Sequence, residues 1–249
     1  MCGIAGFVND MPIDVKCPVL QRMTDMIAHR GPDSEGHYID EHAALGHRRL
    51  SIIDLGGGQQ PIYNEDGSKV ITFNGEIYNY QTLREELIAA GHTFTTKSDT
   101  EVLLHGYEQW GVDLLQRVRG MFTFVIWDKN KQELFGARDH FGIKPFYYAK
   151  MNGTFMYASE IKSLLRHPDF VKELNAEALK PYMTFQYPAI GETFFKGVYK
   201  LPEGHYFTYR DGKMDIHRYY DEDFREGKQK LGELVNSIDQ TVCDSVKAH

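Results

Sequence analysis

The sequence predicts a mixed α+β chain in which many strands, stacked as sheets, alternate with few long helices. Segments such as CGIAGFV, KVITFNGEIY, MFTFVIWD, ELFGARD and KPFYYAK are rich in β-branched and aromatic residues, the side chains that fit a pleated, half-buried surface. Turn chemistry bounds them: NEDGS, DKNKQ and KMNGT supply the Gly, Asn and Asp that sharp reversals need. Between the strand-like runs, apolar residues recur with helical spacing.

In chain order, CGIAGFV reads as a first strand. Val19, Leu20, Met23, Met26 and Ile27 then share one helical face. HRGPDSEG follows as a turn, because Gly-Pro breaks a helix. HRRLSIID places Arg49 in a strand-like run with Leu50, Ile52 and Ile53. After KVITFNGEIY, Leu83, Leu87 and Ile88 mark a second helix that Gly91 closes as a C′ residue. Ser98 and Glu101 of SDTE have the spacing of a capping box ahead of two helical stretches, VLLHGYEQWG and VDLLQRV. ASEIKSLLRH and LNAEALKPYMTF also read as helices, and GVYKLPEGHYFTYRDGKMDIHRYY as a hairpin around Asp211-Gly212. DEDFREGKQ is a charged linker, after which Leu231, Leu234, Val235, Ile238, Val242 and Val246 fall on one face of a terminal helix.

With 249 residues, 42% hydrophobic, the chain can bury one large domain, or one domain plus an extension. The formal charge of −7 comes from interspersed charges, so no basic footprint invites nucleic acid. Cys2, Cys17 and Cys243 lack any C-x-x-C or Cys/His spacing, which argues against a disulfide framework or structural zinc. The first apolar run ends at Val8, too short for a signal h-region, and no uncharged stretch could span a bilayer. A cytoplasmic chain with no membrane partner is expected.

Cys2 carries the main chemical argument. Removal of Met1 leaves its thiol and a free α-amine on one residue. A thiol of pKa ~8.5 is only partly ionised at neutral pH, whereas an α-amine of ~7.7–8.0 is well placed as its base. One residue then holds nucleophile and base together. Cys2 alone reads better as a small buried residue, but the neighbours reverse that preference: Gly3 leaves room beside the thiol and further polar clusters suit one kind of ligand. Asn74 and Gly75 offer a side-chain amide and an unhindered backbone N–H side by side, the pair that holds an oxyanion; Asn-Gly is also the commonest hairpin turn signal. Arg49 suits an amino-acid α-carboxylate or a structural ion pair, and the structural role is preferred for His47 and Arg48. Asp99, at a helix start, suits a substrate ammonium or simply the helix dipole. In HRGPD, an Arg30–Asp33 contact would pin a structural loop, and closing over a bound substrate is the functional alternative. His105, His140 and Trp127 are assigned to helix surface and core, because no second ligand sits at metal-site spacing. Arg138 and Asp139 are expected to form a buried or interdomain ion pair.

In their order and spacing, MCGIAGF, HRGPD, GHRRLSIID, FNGEIYNY, SDTE, GMFTFVIWD and ARDHFGIKPFYY resemble the glutaminase domain of class II glutamine amidotransferases, that of glutamine-hydrolysing asparagine synthetases in particular. The resemblance runs from Cys2 to about Tyr220. It implies an N-terminal-nucleophile fold, a four-layer αββα sandwich of two antiparallel sheets covered by helices. It implies that Cys2 attacks the γ-carboxamide of L-glutamine to give a thioester, ammonia and finally glutamate. Asn74 and Gly75 would then form the oxyanion hole, Arg49 would bind the α-carboxylate, Asp99 with Glu76 would hold the α-ammonium, and backbone groups of Leu50, Ser51, Ile52 and Ile53 would line the pocket. No cofactor or metal is implied for this step.

The same resemblance divides the chain into a glutaminase domain, residues 2–220, and a linker with the first helix of a synthetase domain, residues 221–249. In the family that second domain carries an SGG-x-DS loop, uses ATP and Mg²⁺ to activate aspartate as an adenylate, and receives the ammonia. No such loop occurs in these residues, so the chain is expected to be a glutaminase half whose partner domain lies elsewhere. A homodimer is left open. Purine- and amino-sugar-forming amidotransferases share the Cys chemistry, but LPEGHYFTYRDGK together with RRLSIID favours the asparagine branch; relatives amidating other carboxylates stay open. A non-catalytic module of the same fold is disfavoured by the joint presence of Cys2, Arg49, Asn74, Gly75 and Asp99. Where Met1 is retained, the Cys2 nitrogen is an amide, and activity is expected to be lost or severely impaired.

Overall fold

The structure is a computed structural model that describes residues 1–52, 54, 56–187, 191–224, 227 and 229–248. Its elements run β1 (Gly3–Val8), α1 (Ile13–Asp25), β2 (Ser34–Ile39), β3 (Ala43–Arg49), β4 (Ile62–Tyr63), β5 (Lys69–Ile77), α2 (Tyr80–Ala89), α3 (Asp99–Trp110), β6 (Gly120–Asp128), β7 (Glu133–Arg138), β8 (Tyr147–Met151), β9 (Thr154–Ala158), α4 (Ile161–Leu164), α5 (Leu179–Phe185), β10 (Val198–Lys200), β11 (His205–Arg210), β12 (Lys213–Arg218) and α6 (Leu231–Ala248). The strands form two six-stranded antiparallel sheets, ordered β10-β8-β9-β1-β3-β2 and β12-β11-β7-β6-β5-β4.

Three apolar clusters separate four layers. Ile4, Leu45, Val70, Val125, Trp127, Phe155 and Phe207 fill the space between the sheets. Ala5, Phe7, Ala44 and Met156 face the opposite way, against Val19, Leu20 and Met23 of α1 and Ile27 just after it. On the other sheet, Phe122, Phe124 and Ile126 alternate with Val125 and pack under α2 and α3 with Leu83, Leu87, Leu103 and Leu104. Each central strand is therefore covered on both faces, which explains why β1 and β6 read as nearly continuous apolar runs instead of alternating ones. The αββα sandwich is the arrangement the sequence resemblance implied.

Several local expectations need correction. The strand-like run through HRRLSIID ends at Arg49, because the next amides leave the ladder: Leu50 N–H donates to Cys2 Sγ at 3.4 Å and Ser51 N–H to Asp33 Oδ2 at 2.7 Å. Ser98 caps α3 by accepting from Thr100 N–H, but Glu101 does not complete a capping box; its carboxylate accepts from both the backbone N–H and the hydroxyl of Thr95 and of Thr96. VDLLQRV forms a short 3₁₀ turn rather than a helix of its own, and only Ile161–Leu164 of ASEIKSLLRH is α-helical. The hairpin is narrower than expected. β11 and β12 pair across Asp211 and Gly212, both at positive φ, while β10 joins the other sheet.

Arg138 and Asp139 are both buried but do not pair with each other. Arg138 donates to the carbonyls of Lys144, Leu201 and Gly142, while Asp139 accepts from the amides of Phe122, Phe141, Ile143 and Lys144. Each charge is met by backbone dipoles. Arg30 likewise turns away from Asp33, its Nε donating to Cys2 O at 2.9 Å and its Nη1 to Glu160 at 3.1 Å. Among the described residues α6 buries no side chain; Leu231, Val235, Ile238, Val242 and Val246 all remain exposed.

Candidate active site

The two sheets meet where β1 and β3 pass β5. His47 ties them: burial holds its ring far below the usual histidine range, to about 3, so the neutral ring donates from Nε2 to Phe73 O at 3.0 Å. This fixes the end of β3, with Arg49, against the middle of β5, with Asn74. His47 and Arg48 are structural, as preferred from the sequence; Arg48 pairs with Asp25 and Glu35.

A cavity of about 280 Å³ opens at this junction. Cys2 enters from the start of β1, Arg49 from the end of β3, Asn74, Gly75 and Glu76 from β5, and Asp99 from the first turn of α3. Leu50 and Ile52 line it as well. Eight of the ten residues singled out from the sequence thus share one cavity. Ser51 is not among its walls, since its N–H is turned to Asp33, and Ile53 lies outside the described residues. Sequence reasoning missed Gln60 and Lys144. Gln60 accepts from Phe73 N–H at 2.6 Å and donates to Thr100 Oγ1 at 3.2 Å, joining β5 to α3. The buried Lys144 reaches Met1 Sδ at 3.1 Å. Its motif, ARDHFGIKPFYY, carries part of the family resemblance, which assigns the lysine no role.

Leu50 brackets the Cys2 sulfur, its N–H donating to Sγ and its carbonyl lying 3.5 Å from it. Burial pushes the thiol pKa up, opposed by the Leu50 hydrogen bond. The sulfur is therefore a thiol at neutral pH and needs a base to become a nucleophile. Asn74 is 1% exposed, and its Nδ2 has no hydrogen-bond partner. Such a buried donor is costly unless something meets it. It sits mid-strand opposite Thr123, with Gly75 opposite Phe122, so Asn-Gly is no hairpin turn here. Gly75 is required by close approach: a Cβ there would stand 2.2 Å from Met121 O.

Asp99 is 4% exposed, and burial raises its pKa from the ordinary 3.8 to about 6; the Ile77 N–H at 3.0 Å opposes the shift and Glu76 adds to it. The folded carboxyl thus holds its proton more tightly than the unfolded one. Stability falls as pH rises from about 4 through 6, and at pH 7 the charged group costs the fold roughly 3 kcal/mol. Asp99→Asn is accordingly expected to raise Tm by several degrees at pH 7 and to give no gain below about pH 4. Thermal melts of both proteins across that range check this; an unchanged or lowered Tm at pH 7 would contradict the buried-charge account.

A family model described as a glutamine amidotransferase domain matches residues 1–220. The chain is 44% identical over 253 residues to asparagine synthetase [glutamine-hydrolyzing] 1 of Bacillus subtilis, covering 100% of this chain and 40% of that protein. It is 34% identical over 270 residues to the amidase chry2 of Gibberella zeae, covering 99% of this chain and 39% of that protein. In fold it resembles the glutamine phosphoribosylpyrophosphate amidotransferase of B. subtilis complexed with ADP and GMP, with a TM-score of 0.64 at 17% identity over 89% of this chain and 50% of that one. The chain spans about two-fifths of the length of the curated relatives it matches. Among the described residues no helix is long and apolar enough to cross a membrane.

Proposed function

The chain belongs to the glutamine amidotransferase domain family, and we propose that its cavity hydrolyses L-glutamine to glutamate and ammonia through a thioester on Cys2. The observation that carries this reading is the partnerless Asn74 amide on the same buried cavity as the Cys2 sulfur. A donor left unmet in the resting fold is one that awaits a developing negative charge.

In the proposed sequence, the α-amine of Cys2, free once Met1 is removed, takes the thiol proton as sulfur attacks the carboxamide carbon. The Asn74 amide and the Gly75 N–H hold the oxyanion. Collapse breaks the C–N bond, the proton passes from the amine to the leaving nitrogen, and ammonia departs. Water then attacks the thioester, with the same amine as base, releasing glutamate and the thiol. Arg49 receives the substrate α-carboxylate, while Asp99 and Glu76 receive the α-ammonium. Leu50 keeps the sulfur in place, and Ile52 lines the cavity beside it. No cofactor enters this step.

Since Asp99 must be charged to receive an ammonium, kcat/KM is expected to fall as pH drops through about 6. Asp99→Asn should raise KM for glutamine by about 10- to 100-fold, the loss of a buried charge-assisted bond.

For the whole protein we propose an ATP- and Mg²⁺-dependent asparagine synthetase in which a further domain, joined through residues 221–249, consumes the ammonia. The similarity to asparagine synthetases and the uncovered apolar stripe of α6 support this. The likeness to the amidase chry2 favours a second reading, amidation of another carboxylate. Both readings share the glutaminase step. It is tested by treating Met1-free protein with a glutamine-like diazoketone and locating the adduct by mass spectrometry. One adduct on Cys2, blocked by glutamine, is expected; an unmodified Cys2 would point instead to a non-catalytic module.

A further inference from the structure

On the far side of α3 from Asp99's cavity, the fold assembles residues that the chain keeps apart. Glu65 follows β4, His92 follows α2, and His105 and Glu108 stand one turn apart on α3. One ligand atom from each of the four lies within 4.8 Å of the others. We propose that Glu65, His92, His105 and Glu108 form a closed, structural binding site for a zinc-class divalent cation.

The spacing matches the chemistry. A tetrahedral centre with bonds of about 2.0–2.1 Å has ligand–ligand edges of about 3.3–3.4 Å. Three edges here measure 3.0 Å (His105 Nδ1 to Glu108 Oε2), 3.5 Å (His105 Nδ1 to Glu65 Oε2) and 4.0 Å (His92 Nδ1 to Glu108 Oε2), and the other Glu65 oxygen, Oε1, lies 3.6 Å from His92 Nδ1. Two imidazoles and two carboxylates form a donor set suited to zinc rather than to magnesium or calcium, which favour all-oxygen shells.

The surroundings orient each ligand as a metal site requires. Histidines that bind a metal through one ring nitrogen offer the other to an acceptor. His92 Nε2 lies 3.2 Å from Gln109 Oε1, and His105 Nε2 lies 3.5 Å from Glu101 Oε1, which leaves both Nδ1 atoms turned to the cluster. Asn64 donates to Glu108 Oε1 at 2.6 Å, and Lys69 Nζ stands 3.6 Å from that same oxygen, so Oε2 is the one left for a cation. Thr93 N–H donates to Glu65 Oε1 at 3.0 Å. The rival state is an ionic cluster only, in which a proton on His105 bridges the carboxylates.

A bound cation would fasten the turn after β4 and the connection between α2 and α3 to the middle of α3, the helix that begins at Asp99. Metal-stripped chain should take up one equivalent of Zn²⁺ by equilibrium dialysis, and one of Co²⁺ with the visible absorption of tetrahedral cobalt. At one hundred times the dissociation constant, Zn²⁺ should raise Tm by about 5–10 °C. Because His105 is buried and its variants could fail to fold, the more exposed ligands are the ones to change. His92→Gln and Glu65→Gln should each fold, lose the cobalt spectrum and lose the Zn²⁺-dependent rise in Tm. No uptake by the parent chain means an ionic cluster only and overturns the proposal. Uptake that both variants retain overturns it as well, by placing the metal elsewhere.

Discussion

In chain freed of Met1, Cys2→Ala is expected to stop ammonia release from glutamine, a fall on the order of 10⁴-fold or more, as when a covalent nucleophile is removed from other hydrolases. The fold itself should be little affected. Among the described residues the sulfur's hydrogen-bond partners are the Leu50 amide and carbonyl, at 3.4 and 3.5 Å, and the bond that anchors this residue, Arg30 Nε to Cys2 O, belongs to the backbone and survives the change. Wild-type chain that keeps Met1 should be nearly as inactive. Its sulfur is intact, but burial keeps the thiol protonated and the amide nitrogen offers no base. Intact mass with a coupled glutamate assay, run on processed wild type, unprocessed wild type and processed Cys2→Ala, separates nucleophile from base. Turnover by the processed Ala variant would remove Cys2 from the mechanism; full turnover with Met1 attached would remove only the amine.

The site was legible because its chemistry is concentrated in short, distinctive stretches. Cys2 at the terminus, Asn74-Gly75 in an apolar strand and Asp99 at a helix start each have an ordinary reading alone, and it is their joint presence with Arg49 that points to one ligand. The layers were legible for the opposite reason: β1 and β6 are apolar on both faces, and the burial of both explains them. What escaped was whatever depends on backbone geometry. Arg138 and Asp139 look like an ion pair to anyone counting charges, yet each faces a ring of backbone groups from turns that no periodicity announces. Glu101 has the spacing of a capping box and instead serves Thr95 and Thr96. Gln60 and Lys144 reach the cavity through loops. His105 has Glu108 three residues on, but Glu65 and His92 are 40 and 13 residues away and meet it only once α3 packs beside the β4–β5 turn.

Asn74→Ala is expected to lower kcat by about 10²–10³-fold with little change in KM, because an oxyanion donor acts on charge that exists only in the transition state. Stability distinguishes this from a structural role. An asparagine that holds the core together loses bonds on truncation and lowers Tm. Here Nδ2 is buried without a partner, so the resting fold already bears the cost of a dehydrated donor, about 1–3 kcal/mol for such groups. Removing it relieves that cost and offsets the lost packing, so Tm should hold or rise while turnover collapses. Asn74→Asp should be worse for catalysis than Ala, since a carboxylate on the same cavity repels the oxyanion it would face. Steady-state kinetics and thermal melts on the three proteins decide the matter. A marked drop in Tm for Asn74→Ala with kcat preserved would assign this side chain to the core and leave the oxyanion to other donors.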